Sequence, residues 1–598
     1  MNINTLFLRC FTFLLMALTT VAFASTTSPP VLKKSKLQST SLFPVKPSVH
    51  PNLIERGKKA EQPQLIKIND RIHQAFAYDF SNIFFIEGDD GIIVIDSGWS
   101  AAAAQRVLED YRQISQKPIV ALIYTHGHGD HLGGAKIFVN EQADTPVDIY
   151  AAGSWQAQQK HFNTALSAHV TMRAAAQLGA LLPDGEHGRV NIGVGKMQIK
   201  DVHIEFVPPT KEIQQAALIN IAGVPIELTP IPSETIDQLF IWLPEDKVMH
   251  AADVAASTLP ILSTPRNEPD RSPLGFIDAM EFMMSKPIEH LVAGHSLPIA
   301  GNSQAMDALL VQRDAAQFIY DQTIRALNMN LGPREAAEFV KLPKHLSEHP
   351  LLSESYHRVA WIVRGLYSRY GGWFSGDSVD LNPLEKAEEA KRIIQLAGGS
   401  NKLLDKANKA FKDKDYQWSA QLANYLLLTE RHVQTAKALK VASLKAMAYN
   451  SASGNQRHYM LSDAMALQLG IGSEQVRNRP RSTAPLKPLA AKELLRLMGP
   501  QLNPALSLDK DITVAMNISN ADKSVGKHFI TVRHGIFQHS DRSVKGSDVT
   551  VTIDRATLER LLALQSSWSK EMATGKVHIT GNPEAFKDFL ASFDFSTG

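Results

Sequence analysis

A short apolar run that ends in a knot of imidazoles constrains this chain more than any other feature. Residues 118–134 read PIVALIYTHGHGDHLGG. The run PIVALIYTH predicts a short buried strand, and it delivers His126, His128, Asp130 and His131 at its C-terminal end. The chain has 21 histidines in 598 residues, so three within six positions is a marked concentration. Residues two apart on an extended strand end point the same way, so His126 and His128 can face one metal ion. After a turn at Gly129, Asp130 and His131 can face a second. Imidazole and carboxylate donors without a thiolate suit zinc, with manganese or iron as alternatives. Two such ions a few ångströms apart make a hydroxide nucleophile available near neutral pH. A bare polar loop would bury the same groups beside an apolar strand with few partners, which is costly.

The flanking sequence predicts an α/β setting. NIFFIEGDDGIIVIDSG (82–98) places two β-branched runs around GDDG, a hairpin signal. SAAAAQRVLEDYRQI follows, a helix opened by the cap Ser100. Strand, helix, strand with a polar cluster at the strand end is how α/β folds present active sites. Strand-like runs continue at VHIEFV, QLFIWLP and HLVAGH to about residue 300. After Asn302 helix periodicity takes over to about residue 470. Within it, 402–450 resembles helical hairpins of tetratricopeptide type without a regular repeat. RNRPRSTAPLKP (477–488) reads as a linker. Strand runs DITVAMNIS, HFITVRHGIF and SDVTVTID, a helix ATLERLLALQSSW and a closing GKVHITGNPEAFKDFLASF predict a small α+β domain.

The first residues carry an address. Arg9 precedes an apolar segment that ends in AFA before Ser25, which reads as a signal peptide cleaved after Ala24. Its uninterrupted run of about 15 residues is short of the ~20 that span a bilayer. Cys10 is the one cysteine and lies inside that segment, so the mature chain would carry no thiol. A periplasmic or secreted protein without disulfides is the expectation. Residues 25–62, rich in Ser, Thr, Pro and Lys, read as an extended arm. The charge is nearly balanced, 62 basic against 60 acidic residues, which argues against a nucleic-acid partner.

VIDSG followed by THGHGDHLGG resembles the metallo-β-lactamase superfamily. The resemblance implies an αββα sandwich with two divalent ions, zinc first among candidates, at one edge of the paired sheets. IPSETIDQLFIWLPEDKVMHAAD is similar to the alkylsulfatase branch, where a Glu and a second acidic residue 19 positions later are ligands. Glu234 and Asp253 have that spacing. The branch usually has Glu in the second place, so Asp253 would be a shorter bridge. His295 in LVAGHSLP would be the last ligand. The implied set is His126, His128 and Glu234 for one ion, and Asp130, His131 and His295 for the other, with Asp253 between them. His250 reads as a core or supporting group, and Asp96 as a group that orients the His–Asp loop.

The segments QRDAAQFIYDQTIRALNMNLGPREAAEFVKLP and YHRVAWIVRGLYSRYGGWFSGDSVDLNPL resemble the helical dimerisation domain of alkylsulfatases. The C-terminal domain is similar to the sterol-carrier-like fold that ends these enzymes, with an apolar groove for alkyl chains. The implied organisation is a signal peptide (1–24), an arm (25–64), a catalytic domain (65–302), a helical dimerisation domain (303–476), a linker (477–488) and a sterol-carrier-like domain (489–598). The implied function is metal-dependent hydrolysis of alkyl sulfate esters by a homodimer, without a membrane anchor after cleavage. Asp130, Arg266 and His357 are assigned to catalysis: Arg266 would anchor the sulfate and His357 would protonate the leaving alkoxide. Tyr356 stands beside His357. The chain departs from the branch at 254–269, VAASTLPILSTPRNEP, where an Asn- and His-rich stretch is absent. Hydrolysis of another ester or a lactone, or lipid binding without catalysis, therefore stay as alternatives.

Overall fold

The computed structural model describes residues 42–598 except 142–145, 163–164, 196–203, 206, 256, 267, 477–479, 482, 484–485, 488, 543–545 and 595–598. The expected signal peptide, residues 25–41 of the arm and part of the expected linker lie outside the described residues.

Two sheets face each other. The first holds β1 (Gln64–Lys67), β2 (Ile72–Phe76), β3 (Ile83–Glu87), β4 (Ile92–Ile95), β5 (Ile119–Ile123), β6 (Asp148–Ala152) and β7 (Lys211–Ile213) in sequential order. The second holds β8 (Ala217–Ile221), β9 (Val224–Pro230), β10 (Leu239–Leu243), β11 (Val248–His250), β12 (His290–Val292) and β13 (Ile299–Ala300). Strand alternation sends Ile93 and Ile95 of β4 into the core between the sheets, against Leu239, Ile241 and Val248. Val94 of the same strand faces outward. It packs with Val107, Leu108 and Tyr111 of the helix α1 (Ala101–Tyr111). Ser100 caps that helix as expected, its hydroxyl accepting from the Ala103 N–H. The outer face of the second sheet buries Phe240 and Trp242 under α2 (Pro273–Met284) and the long α3 (Asn302–Asn328). Layers of helix, sheet, sheet and helix result. No helix among the described residues is long and apolar enough to cross a membrane.

The helical region does not begin with a core of its own. Leu309 and Ile319 of α3, with Ile362 and Leu366, share one apolar cluster with Phe240 and Met249 of the second sheet. A separate core appears only farther on, around Leu403, Leu422, Leu426 and Leu439 of successive antiparallel helices. The C-terminal domain has its own five-stranded sheet, order β16-β15-β14-β17-β18, built from β14 (Asp511–Ser519), β15 (Val525–Arg533), β16 (Ile536–Ser540), β17 (Val549–Asp554) and β18 (Val577–Gly581). Its helices cover a cluster that includes Val514, Ile530, Val551, Leu558 and Phe589.

Three expectations change. Residues 51–59 of the expected arm form a helix, Pro51–Lys59, with Leu53 buried. Arg56 on it donates to the Gly193 carbonyl at 3.1 Å and the Ser257 carbonyl at 2.8 Å, so distant loops supply the stability that local propensity lacks. Half of the strand expected at VHIEFV lies outside the described residues, and its described positions, 204, 205 and 207, are not in a strand. The single helix expected over 556–568 is two: it stops at Leu562, Leu564 turns left-handed (φ 58°), and Ser567 caps a new helix, Trp568–Ala573.

Arg457 ties the amino-terminal segment down. Fully buried, it donates to the carbonyls of Gly188 (2.9 Å), Ser48 (2.8 Å) and Glu186 (2.5 Å). Replacing it strands three carbonyls, and charged hydrogen bonds of this kind contribute roughly 1.5–3 kcal/mol each. Arg457→Met is expected to lower the midpoint of thermal unfolding by several degrees, read by calorimetry on the full chain; an unchanged midpoint would refute the tie.

Candidate metal centre

The strand β5 ends at Ile123, and the chain then turns along the edge of the two sheets. His128 keeps extended backbone (φ −70°, ψ 144°), and a one-turn helix, Gly129–Leu132, presents Asp130 and His131. Glu234 follows β9, Asp253 follows β11 and His295 follows β12, so three strand ends of the second sheet reach the same edge. All seven residues are buried.

They form two groups that share one carboxylate. In the first, the donor atoms of His126, His128, Glu234 and Asp253 lie within 4.8 Å of one another. His126 Nε2 is 2.7 Å from His128 Nδ1, and Glu234 Oε1 is 3.9 Å from the same Nδ1. In the second, His131 Nε2 stands 3.5 Å from Asp130 Oδ2 and 3.3 Å from Asp253 Oδ2. His295 Nε2 stands 3.3 Å from Asp130 Oδ2 and 2.9 Å from Asp253 Oδ2. Asp253 Oδ2 also reaches within 3.9 Å of His126 Nε2, which makes it the common member.

Supporting groups set which ring nitrogen faces inward. Asp96 accepts from the Thr125 N–H and hydroxyl at 2.8 Å each and from His131 Nδ1 at 2.6 Å. That bond puts the His131 proton on Nδ1 and leaves Nε2 toward the site. Asp96 does this from a left-handed backbone (φ 58°) at the end of β4, a conformation that costs energy in a non-glycine residue. The Phe80 carbonyl accepts from His295 Nδ1 at 3.0 Å, with the same effect. Gly294 is required by close approach: a Cβ there would collide with Asp253 Oδ1 and press on His131 Cε1 at 2.8 Å. His250 stays in the core, edge-on to Phe84, its Nδ1 accepting from the Ala252 N–H.

The groups fit a pair of cations. Asp253 Oδ1, Glu234 Oε2 and His131 Nε2 are buried and have no hydrogen-bond partner among the described residues. Buried polar atoms of this kind are costly unless they coordinate something. Burial opposes charge throughout, yet the carboxylates of Asp253, Asp96 and Asp130 overcome it and hold the His131 imidazolium well above its usual range. Burial likewise opposes the charge on Asp253, but the imidazoles of His295 and His131 hold its carboxyl well below the usual range.

Two residues at the site escaped the sequence reading. The Glu268 side chain is buried between two arginines, and its Oε1 lies 3.5 Å from His128 Nε2, an ion-pair approach longer than the Asp96–His131 hydrogen bond. Arg271 is fully buried, pairs with Glu234 Oε1 at 2.6 Å and contacts Glu268. The spacing Arg266, Glu268, Arg271 was the available signal, set in a polar, Pro-rich stretch. The two catalytic expectations beyond the ligands are altered. Arg266 is at the site, but its fork is engaged: Nε and Nη2 reach Glu268 Oε1 at 2.6 and 2.5 Å, and Nη1 donates to the Tyr356 hydroxyl at 3.1 Å. His357 is fully buried against Tyr356, and neither ring nitrogen has a hydrogen-bond partner among the described residues. Burial, then Arg271 and Arg266, push its pKa well below the usual value, which disfavours the imidazolium.

Comparison with known proteins accounts for nearly the whole described chain. Residues 78–295 match the metallo-beta-lactamase superfamily, 332–470 the alkyl sulfatase dimerisation family and 480–597 the alkyl sulfatase C-terminal family. A linear primary-alkylsulfatase of Pseudomonas sp. (strain ATCC 19151) is 32% identical over 521 residues, covering 85% of this chain and 98% of that protein. A second linear primary-alkylsulfatase, from Pseudomonas sp., is 28% identical over 92% of this chain and 82% of its own. The solved structure of the stereoselective inverting sec-alkylsulfatase Pisa1 from Pseudomonas sp. superposes with a TM-score of 0.79 at 25% identity, over 93% of this chain and 88% of that one.

Loss of a group that orients a metal-binding imidazole typically costs 10–100-fold in metal affinity. Asp96→Asn is therefore expected to weaken metal binding at the group that contains His131 by about that factor, read with zinc by competition with a chromophoric chelator. Equal affinity in the variant and the parent would show that Asp96 does not position His131 for a metal ion.

Proposed function

Because the chain belongs to the alkylsulfatase family of the metallo-beta-lactamase superfamily, we propose that it hydrolyses alkyl sulfate esters to an alcohol and inorganic sulfate with two bound divalent ions. The observation that carries this reading is the pair of donor groups joined by Asp253. His126, His128 and Glu234 would hold one ion, Asp130, His131 and His295 the other, and Asp253 would bridge them. Zinc suits the imidazole and carboxylate donors. When bound, the ions supply Lewis acidity and lower the pKa of water toward neutrality.

The chain's own groups do the rest. Asp96 and the Phe80 carbonyl fix the rings of His131 and His295 so that each presents one nitrogen, and Glu268 stands 3.5 Å from the His128 ring. Arg271 holds Glu234 in place through Oε1. Arg266 and Arg271 bring two guanidinium groups to one side of the cluster, where an ester sulfate would exchange for part of their contact with Glu268. Parallel charged donors of this kind match sulfate oxygens. The alkyl chain would lie along the C-terminal domain, which we read as sterol-carrier-like. The leader-like segment at 1–24 supports export to the periplasm or beyond.

One observation favours a second reading. Glu268 fills the arginine fork that a sulfate would use, so a less anionic ester or a lactone would bind without displacing it.

The chain would act as a homodimer. Trp373, Val379, Leu381 and Leu396 are 73, 73, 60 and 84% exposed, all within the segment that matches the dimerisation family. Exposed apolar side chains gathered in one stretch are the mark of a covered surface.

The purified zinc-loaded protein is expected to release sulfate from dodecyl sulfate, and His128→Ala to abolish it. Arg266→Ala should lower kcat/KM for dodecyl sulfate roughly 10–100-fold, the loss of a charge-assisted hydrogen bond. Hydrolysis of lactones or neutral esters with none of dodecyl sulfate would select the second reading instead. Trp373→Asp should convert the dimer to monomer in sedimentation velocity; a monomeric parent would overturn the dimer.

A further inference from the structure

A second kind of donor cluster sits far from the catalytic edge, on the C-terminal sheet. β15 and β16 pair antiparallel with Ile530 opposite His539. His528 lies two residues before Ile530, so both imidazoles project from the same face of the hairpin as diagonal neighbours. Their side chains are only 12 and 4% exposed, while Asp541, just past the end of β16, is 60% exposed.

Three donor atoms converge on one point. His528 Nδ1 is 2.9 Å from Asp541 Oδ1, His539 Nε2 is 3.3 Å from His528 Nδ1, and His539 Nε2 is 3.6 Å from Asp541 Oδ1. For tetrahedral zinc with bonds of 2.0–2.1 Å to nitrogen and oxygen, neighbouring ligand atoms are about 3.3 Å apart. The three observed separations bracket that value. A His–Asp hydrogen bond accounts for the first of them. His539 Nε2 is within hydrogen-bond distance of the same His528 Nδ1, but an Nδ1 that donates its one proton to Asp541 has no lone pair or proton left for His539, whose Nε2 stands beyond hydrogen-bond range of the carboxylate. Gly526 contributes as well: a Cβ there would lie 3.0 Å from His528 Nε2, so its absence leaves the ring free to turn Nδ1 inward.

We propose that His528, His539 and Asp541 form a separate metal-ion site for a borderline divalent ion such as zinc, with one coordination position open to solvent. Two imidazoles and one carboxylate are the donor set that suits such an ion. Lys492 and Arg496, on the helix Ala491–Arg496 that packs against β16, bring positive charge toward His539 and Asp541. Their charge opposes the bare ion and favours an anion as its fourth ligand.

The test uses the full chain, stripped with a chelator, dialysed and titrated with zinc and with cobalt. The parent should bind one more equivalent of zinc than His539→Ala or Asp541→Asn. Its cobalt form should show a tetrahedral visible absorption component that both variants lack. Asp541→Asn preserves shape and removes only the charged donor, so a parallel loss in it excludes misfolding as the cause. Hydrolysis of dodecyl sulfate should be the same in the variants and the parent. The difference between parent and variant stands whether or not the catalytic edge binds metal: if that edge were empty, the parent would hold one equivalent and the variants none. Identical zinc counts and cobalt spectra in parent and variants would overturn the site.

Discussion

The carboxylate of Asp253 holds the catalytic edge together. One of its oxygens lies within 4 Å of imidazoles from both donor groups, His126 on one side and His131 and His295 on the other. Those imidazoles come from two different sheets, and their burial is tolerable only because opposite charges meet there. The sandwich architecture follows the same demand. β5 of the first sheet and β9, β11 and β12 of the second must all end at one edge, and the apolar core between the sheets fixes that alignment. Gly294 shows how little slack remains: a single added methyl group would occupy the space of the shared carboxylate.

Around this centre the charges are arranged in alternation. Glu234 leans on Arg271, Arg271 on Glu268, and Glu268 on Arg266 and His128. Each buried charge has an opposite neighbour, which is the condition for keeping ionised groups out of water. This chain thus carries its own carboxylate where two guanidinium groups converge. On the proposed function, affinity for an anionic substrate would depend on competition with this tethered acid and not on the arginines alone. Tyr356 closes the arrangement from the helical region, its hydroxyl accepting from Arg266.

Much of this was legible before the structure. The strand end with His126, His128, Asp130 and His131 could be read from residues alone, because periodicity and donor chemistry are local signals. Glu234, Asp253 and His295 could not. They lie more than a hundred positions beyond the motif, and only resemblance to a family joined them to it. Glu268 and Arg271 were missed because TPRNEPDRSP reads as a solvated, Pro-rich loop; its burial is imposed by elements distant in sequence. The Pro51–Lys59 helix was missed for a related reason. Its sequence offers two apolar residues, Leu53 and Ile54, and its anchors are carbonyls at Gly193 and Ser257. His357 was placed near the right groups, but its burial, reinforced by the guanidinium charges of Arg271 and Arg266, opposes the imidazolium, and neither was foreseen.

The amino-terminal clasp also constrains the order of assembly. Ser48 meets Arg457 and Tyr449, and Asn52 meets Ala452, across some 400 residues of chain. A ribosome makes the two sides of this clasp far apart in time. The first segment emerges with no binding surface to dock on until the helices around residue 450 exist, so vectorial folding cannot finish the sandwich's flank. Contacts of such long range form late and slowly.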